Sequence, residues 1–201
     1  MKVYQHYSLY GFSNVYLVGN DATKEALVVD PAEMNASLLG HIEKNGYNLK
    51  AVLVTHNHSH HVRGLKTLLK IYDARIYGAS AQIAGFPSVA LRDGETVATC
   101  GFDVQVLSVP GHSPDSLVFR VEGVLFTGDA LHAGLIGKTL SSYNAVTLAE
   151  MLRTKVLSQA DEYVILPGHG PPSTVATERQ FNVGLEPGWA ERVTSRYDFF
   201  V

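Results

Sequence analysis

Short apolar runs broken by turn residues dominate the first third of the chain. Residues 3–7, 14–18 and 26–29 read as strands, punctuated by Gly11, Gly19-Asn20 and Asp30-Pro31. Between 36 and 44 the period changes: Leu38, Leu39 and Ile42 share one helical face, and Gly46 supplies a stop. Ala51-Val52-Leu53-Val54 is continuous, apolar and largely β-branched, the pattern of a buried strand, and it ends at Thr55. That places residues 56–61 in the loop leaving the strand. Leu65, Leu68, Leu69 and Tyr72 predict a helix over 63–72, followed by a return strand at 75–77 and a further helix at 79–86. Downstream, 102–109, 117–121 and 124–126 read as strands, 145–157 is amphipathic through Val146, Leu148, Met151, Leu152 and Val156, and 163–166 is another buried strand. Strands at both ends with helices between them predict an α/β (α+β) fold of two mixed sheets faced by helices. No repeat or Pro/Gly/Ser-rich linker divides the pattern, so 1–201 reads as a single domain.

Composition narrows the function classes. Sixteen Lys and Arg against 19 Asp and Glu leave a net charge of −3 with no basic run, which argues against a nucleic-acid partner. No apolar stretch approaches the ~18 residues of a membrane span, and the opening MKVYQHYSLYGFSN lacks the apolar middle of a signal peptide, so a cytoplasmic protein is expected. Cys100, the one cysteine, cannot form an internal disulfide and reads as structural. A small-molecule substrate is the expected partner. Oligomeric state is open: the aromatic residues Tyr197, Phe199 and Phe200 are expected to pack on the domain, with a dimer edge as the alternative.

Nine histidines stand out from this plain background. His56, His58, His60 and His61 crowd one loop, while His112, Asp129 and His169 each follow a glycine in loops after predicted strands. Several imidazoles with a carboxylate suit zinc, iron or manganese. Residues 56 and 58 are expected to reach to one side of their loop and 60 and 61 to another, so that one segment serves two ions. Glycine permits the tight turns that bring the later loops to the same point. His6, His41 and His132 read as surface residues, although His132, three positions beyond Asp129, is also a candidate for the pocket.

These motifs resemble the metallo-β-lactamase superfamily. The carriers are Thr-His-x-His-x-x-His at 55–61, Pro-Gly-His-Ser-Pro-Asp-Ser at 110–116, Leu-Phe-Thr-Gly-Asp-Ala-Leu at 125–131 and Leu-Pro-Gly-His-Gly-Pro at 166–171. The match is nearest to single-domain proteins similar to glyoxalase II. The resemblance implies a four-layer αββα sandwich with two divalent metal ions (Zn, Fe or Mn) at one edge. It assigns His56, His58 and His112 to the first ion, Asp129 as the bridge, and His61 and His169 to the second. It also implies hydrolysis of a small thioester or ester by metal-activated hydroxide. Only 32 residues follow His169, so the helical glutathione-binding segment of glyoxalase II is not expected.

One departure bears directly on activity. The family pattern has an aspartate at position 60, where it ligates the second metal and helps orient the attacking hydroxide; this chain has His60. Three outcomes follow: His60 ligates the second ion, only one ion binds, or His60 stays unligated as a proton acceptor. Asp129 and His60 are therefore the candidate catalytic residues, and Arg63, His132, Lys138 and Tyr143 the candidate substrate-binding ones. Two alternatives to the hydrolase remain open: a mononuclear non-haem iron dioxygenase of the persulfide type, and a metal-binding protein that has lost or altered its catalysis.

Overall fold

The strand Asn14–Gly19 is buried at every position because its two faces meet different cores. Tyr16 and Val18 point into one apolar cluster, Val15 and Leu17 into another. In the computed structural model, which describes residues 1–186, 188 and 189, this strand belongs to a six-stranded mixed sheet. Its order is Lys2–Tyr7, Asn14–Gly19, Glu25–Val29, Asn48–Leu53, Arg75–Gly78 and Val89–Ala90. A second six-stranded mixed sheet runs Ser173–Thr174, Val164–Pro167, Val124–Gly128, Leu117–Val121, Phe102–Ser108 and Thr96–Thr99.

Three cores define the layers. Tyr16, Leu27 and Leu53 of the first sheet interleave with Val104, Phe119 and Phe126 of the second. The outer face of the first sheet packs Val28, Leu49 and Val52 against Leu38 and Ile42 of the helix Ala36–Asn45 and against Leu65 and Leu68. On the other flank, Val118, Leu125 and Ile165 meet Leu148, Leu152 and Val156. Helix, sheet, sheet and helix therefore stack as the αββα sandwich expected from the motifs. Local signals set the helix ends. The Asn35 side chain accepts from Leu38 N at 3.0 Å, and Gly46 closes that helix at φ 65°.

Several expected elements differ. Residues 79–86 do not form a helix: Gln82–Ile83 and Phe86–Pro87 pair as a hairpin around Ala84 and Gly85, both at positive φ. The expected helix 63–72 is Leu65–Ile71, and a separate helical turn, Ser59–Val62, precedes it. Gly64 N donates to Pro31 O at 2.7 Å between them, so His60 and His61 ride on a helical turn rather than a loop. The amphipathic stretch 145–157 begins earlier, at Ser142, under a Ser141 cap, and runs from Ser142–Met151 into a π-helical turn at Leu152–Val156. Thr96–Thr99 and the small hairpin of Leu131–His132 with Leu135–Ile136 had no clear periodicity and were not anticipated. Cys100 is buried against Ala26 O at 3.1 Å. Tyr197, Phe199 and Phe200 lie outside the described residues. No helix among the described residues is long and apolar enough to cross a membrane.

Strand ends from both sheets meet at one edge. Leu117 N donates to Thr55 O at 2.8 Å, and Asn14 N to Gly168 O at 2.7 Å. The Asn14 amide and the Tyr16 hydroxyl both donate to Pro167 O. The loops carrying the histidines are thus joined across the seam between the sheets.

Candidate metal centre

A buried carboxylate beneath the histidines sets two of the rings. Asp30, at the end of the strand Glu25–Val29, accepts from Thr55 N at 2.8 Å and Thr55 Oγ1 at 2.7 Å, and its Oδ2 lies 3.1 Å from His61 Nδ1. Thr55 Oγ1 gives its hydrogen to Asp30, so it can only accept from His56 Nδ1, 3.0 Å away. Backbone carbonyls orient two more rings: His112 Nδ1 faces Lys138 O at 2.7 Å, and His169 Nε2 faces Gly11 O at 3.0 Å. A carbonyl accepts only, so each of these nitrogens donates and the opposite ring nitrogen keeps its lone pair facing inward.

All the inward nitrogens converge on Asp129, and its two oxygens divide them. Oδ2 lies 3.8 Å from His56 Nε2, 3.4 Å from His60 Nε2 and 3.7 Å from His112 Nε2. Oδ1 lies 3.2 Å from His61 Nε2, 3.9 Å from His132 Nε2 and 2.7 Å from His169 Nδ1. His58 joins the first group through Nδ1, 3.1 Å from His112 Nε2. Three of these nitrogens, His56 Nε2, His61 Nε2 and His132 Nε2, are buried without a hydrogen-bond partner. Buried polar atoms ordinarily have one. A set of imidazole nitrogens around a carboxylate is also the donor set that divalent transition metals take, so these residues fit such ions.

The charge states suit that role. Burial, reinforced by neighbouring His61, pushes His56 down to about 3, and burial likewise lowers His58 and His132, so these rings are neutral with free lone pairs. Burial opposes the charged form of His61, but the Asp30 carboxylate and the neighbouring Asp129 outweigh it and raise the ring to about 10 in the metal-free protein. Burial also opposes ionisation of Asp129. The close imidazoles of His169, His60 and His61 more than offset it, and the carboxyl titrates well below its usual range.

Glycines make room for this packing. A Cβ on Gly168 would fall 2.4 Å from Asp129 Oδ1 and 2.7 Å from His61 Cε1, and one on Gly128 would fall 2.3 Å from Thr55 Oγ1. Gly168→Ala must therefore displace the Asp129 carboxylate. Because misplacing reacting groups by ~1 Å can cost about 100-fold, kcat/KM of the metal-loaded enzyme is expected to fall by that order, with a circular dichroism spectrum like the parent's. A rate within twofold of the parent would show that the carboxylate does not need this space.

Residues 10–169 match the metallo-β-lactamase superfamily. The chain belongs to that superfamily. Its members are mostly metal-dependent hydrolases that bind divalent metals. The chain is 31% identical over 186 residues to the hydroxyacylglutathione hydrolase GloC of Haemophilus influenzae, a match covering 81% of this chain and 88% of that protein. The crystal structure of ETHE1 from Myxococcus xanthus superposes with a TM-score of 0.82 at 28% identity, covering 91% of this chain and 84% of that one. TTHA1623, solved in a di-iron-bound form, gives a TM-score of 0.75 at 26% identity over 90% of this chain and 99% of that one.

Within this superfamily frame, the structure gathers His56, His58, His60, His61, His112, Asp129 and His169 into one cluster. His60 lies beside His61, with ring centroids 4.5 Å apart and donor atoms in one group with His56 and Asp129, while its Nε2 faces the oxygen that His56 and His112 face. His132, expected at the surface or in the pocket, is half-buried with its Nε2 closed to solvent beside Asp129. Arg63 lays its guanidinium over the Tyr10 ring at 4.0 Å. Lys138 meets the cluster through its backbone carbonyl and exposes its side chain, and Tyr143 is 78% exposed on the first turn of its helix. His6 pairs with Glu33 and His41 stacks on Tyr4, so neither belongs to the cluster. Sequence reasoning passed over Asp30 and Thr55 as site residues. The available signal was a carboxylate closing the apolar run 26–29, where burial demands partners.

Proposed function

We propose that this protein is a two-metal hydrolase of a small thioester or ester, with a hydroxyacyl thioester as the first substrate to test. The observation that carries the reading is the division of imidazoles between the two oxygens of Asp129: His56, His58 and His112 on the Oδ2 side, His61 and His169 on the Oδ1 side. The likeness to the Haemophilus influenzae hydroxyacylglutathione hydrolase supports the substrate class. When bound, a pair of divalent ions supplies a water acidified toward neutral pH and a Lewis acid for the acyl carbonyl. The chain's own residues do the rest. Asp129 holds the two sets of ligands at a fixed separation, and Asp30 through Thr55 keeps His56 and His61 turned inward. His60, its side chain 30% exposed and its outer nitrogen without a partner among the described residues, is placed to take and return a proton. A thiolate is the easier leaving group because thiols ionise near pH 8.5.

Two loops frame the approach to the cluster. Residues 8–13 contribute Gly11 O to His169 and expose Leu9 and Phe12; residues 137–143 contribute Lys138 O to His112 and expose Leu140 and Tyr143. We assign the acyl chain to the space between these apolar rims, with Lys138 and Arg63 available to an anionic end. The test is thiol release from a hydroxyacyl glutathione thioester and from a simple aryl thioester, by protein stripped with chelator and reloaded with zinc, manganese or iron. Turnover is expected to vanish on stripping and return with two equivalents. Two bound equivalents with no thiol released would refute the hydrolase. One bound iron with oxygen uptake on a persulfide would favour the dioxygenase instead.

A further inference from the structure

His132 was assigned to substrate contact from sequence, yet its geometry is wrong for that. Its Nε2 is closed to solvent, has no hydrogen-bond partner, and points at Asp129 Oδ1 from 3.9 Å. A nitrogen that solvent cannot reach cannot greet a substrate; one aimed at a carboxylate oxygen already shared by two imidazoles can complete a coordination sphere. We infer that His132 is a ligand of the second ion, sharing the Oδ1 side of Asp129 with His61 and His169, and that position 132 rather than position 60 supplies that ion's remaining protein donor. The inference rests on the two-ion reading above.

The donor atoms already lie close together. One donor atom from each of Asp129, His132 and His169 lies within 4.8 Å of the others. Ligands bonded to one zinc-sized ion at ~2.1 Å lie at most ~4.2 Å apart, and the His132 Nε2 to Oδ1 separation of 3.9 Å falls inside that limit. The His132 and His169 rings also face each other, with centroids 5.8 Å apart.

The backbone that carries the ring is fixed from behind. His132 pairs with Leu135 in the small hairpin. At the hairpin's turn, Gly134 N donates to both oxygens of Glu178, a carboxylate only 1% exposed, and Gly134 O accepts from Val183 N. Asn182 donates to the same carboxylate at 2.6 Å. Thr127 Oγ1 holds Leu131 O at 3.0 Å. The ring is therefore delivered to Asp129 by a rigid support, which a ligand requires and a solvent-facing side chain does not. His60 differs in direction: its Nε2 faces Oδ2 from 3.4 Å, not the oxygen that His132 faces.

The test counts ions. Wild-type protein and the variants H132F, H132N and H60A are stripped, loaded with zinc, freed of excess metal by gel filtration, and analysed by plasma mass spectrometry alongside far-ultraviolet circular dichroism. Wild type and H60A are expected to keep two ions per chain. H132F and H132N are expected to keep one, with the second dissociation constant weakened by about 100-fold or more, since even outer-sphere changes cost 10–100-fold. H132N, which adds no bulk, keeps the test open should H132F fail to fold. Two ions retained at unchanged affinity by a folded His132 variant, a wild type that binds only one, or loss of the second ion from H60A alone would each overturn the inference. So would anomalous scattering from a cobalt-loaded crystal with no ion bonded to His132 Nε2. A wild type that holds two ions but cleaves no thioester would refute the hydrolase and leave His132 as a ligand.

Discussion

Replacing Asp129 by asparagine is expected to lower kcat/KM by about 1,000-fold or more, corresponding to the several kcal/mol that metal-assisted charge stabilisation supplies. Asparagine nearly preserves the volume of this buried side chain, so packing alone would predict little change. It replaces an anion whose oxygens serve imidazoles on two sides with a neutral amide that presents a single acceptor oxygen. Metal content should fall from two ions per chain to at most one. Assaying the variant with its ion count distinguishes lost chemistry from lost loading, and a variant with two ions and near-parental turnover would remove Asp129 from the mechanism.

The second large effect concerns a residue that no ion touches in this reading. Asp30→Ala strands Thr55 N, Thr55 Oγ1 and His61 Nδ1 in a region almost closed to water. Removing one partner of a buried ion pair typically costs ~3–5 kcal/mol of stability, and loss of the group orienting a ligand costs ~10–100-fold in metal affinity. Asp30 also sits at φ 49°, which asparagine tolerates better than alanine. Asp30→Asn therefore separates the charge from the backbone. The pH dependence has a definite sign. His61 is raised from 6.5 to about 10 in the metal-free fold, so its pairing stabilises fully below pH 6.5 and is lost as pH rises through about 10. Urea unfolding of metal-free protein should show the Asp30→Ala deficit at pH 6 and a smaller one above pH 10. A deficit that grows with pH would contradict the assigned charge of His61.

How far the sequence could be read depended on the kind of signal. Apolar period and β-branching located the long strands and the helix Ala36–Asn45, because those elements are built by burial on defined faces. The hairpin at Gln82–Ile83 and Phe86–Pro87 was mistaken for a helix, though Gly85 and Pro87 argued against one. Histidine spacing identified which loops meet, but could not tell which oxygen of Asp129 each ring would face. That depends on the helical turn Ser59–Val62, whose geometry sends His61 down to Asp30 and turns the neighbouring His60 Nε2 to Oδ2. His132 was illegible for a related reason: its two-residue strand is too short to show a period, and its position comes from Glu178, 46 residues away.

The seam between the sheets gives the cluster a second consequence. His56, His58, His60 and His61 hang from the first sheet, whereas His112, Asp129 and His169 hang from the second. Any ion held among them would rivet the two halves of the sandwich, so its binding free energy would also be free energy against their separation. On that account the loaded protein would resist parting at this edge more strongly than the metal-free one, adding metal bonds to the apolar core that already joins the two sheets.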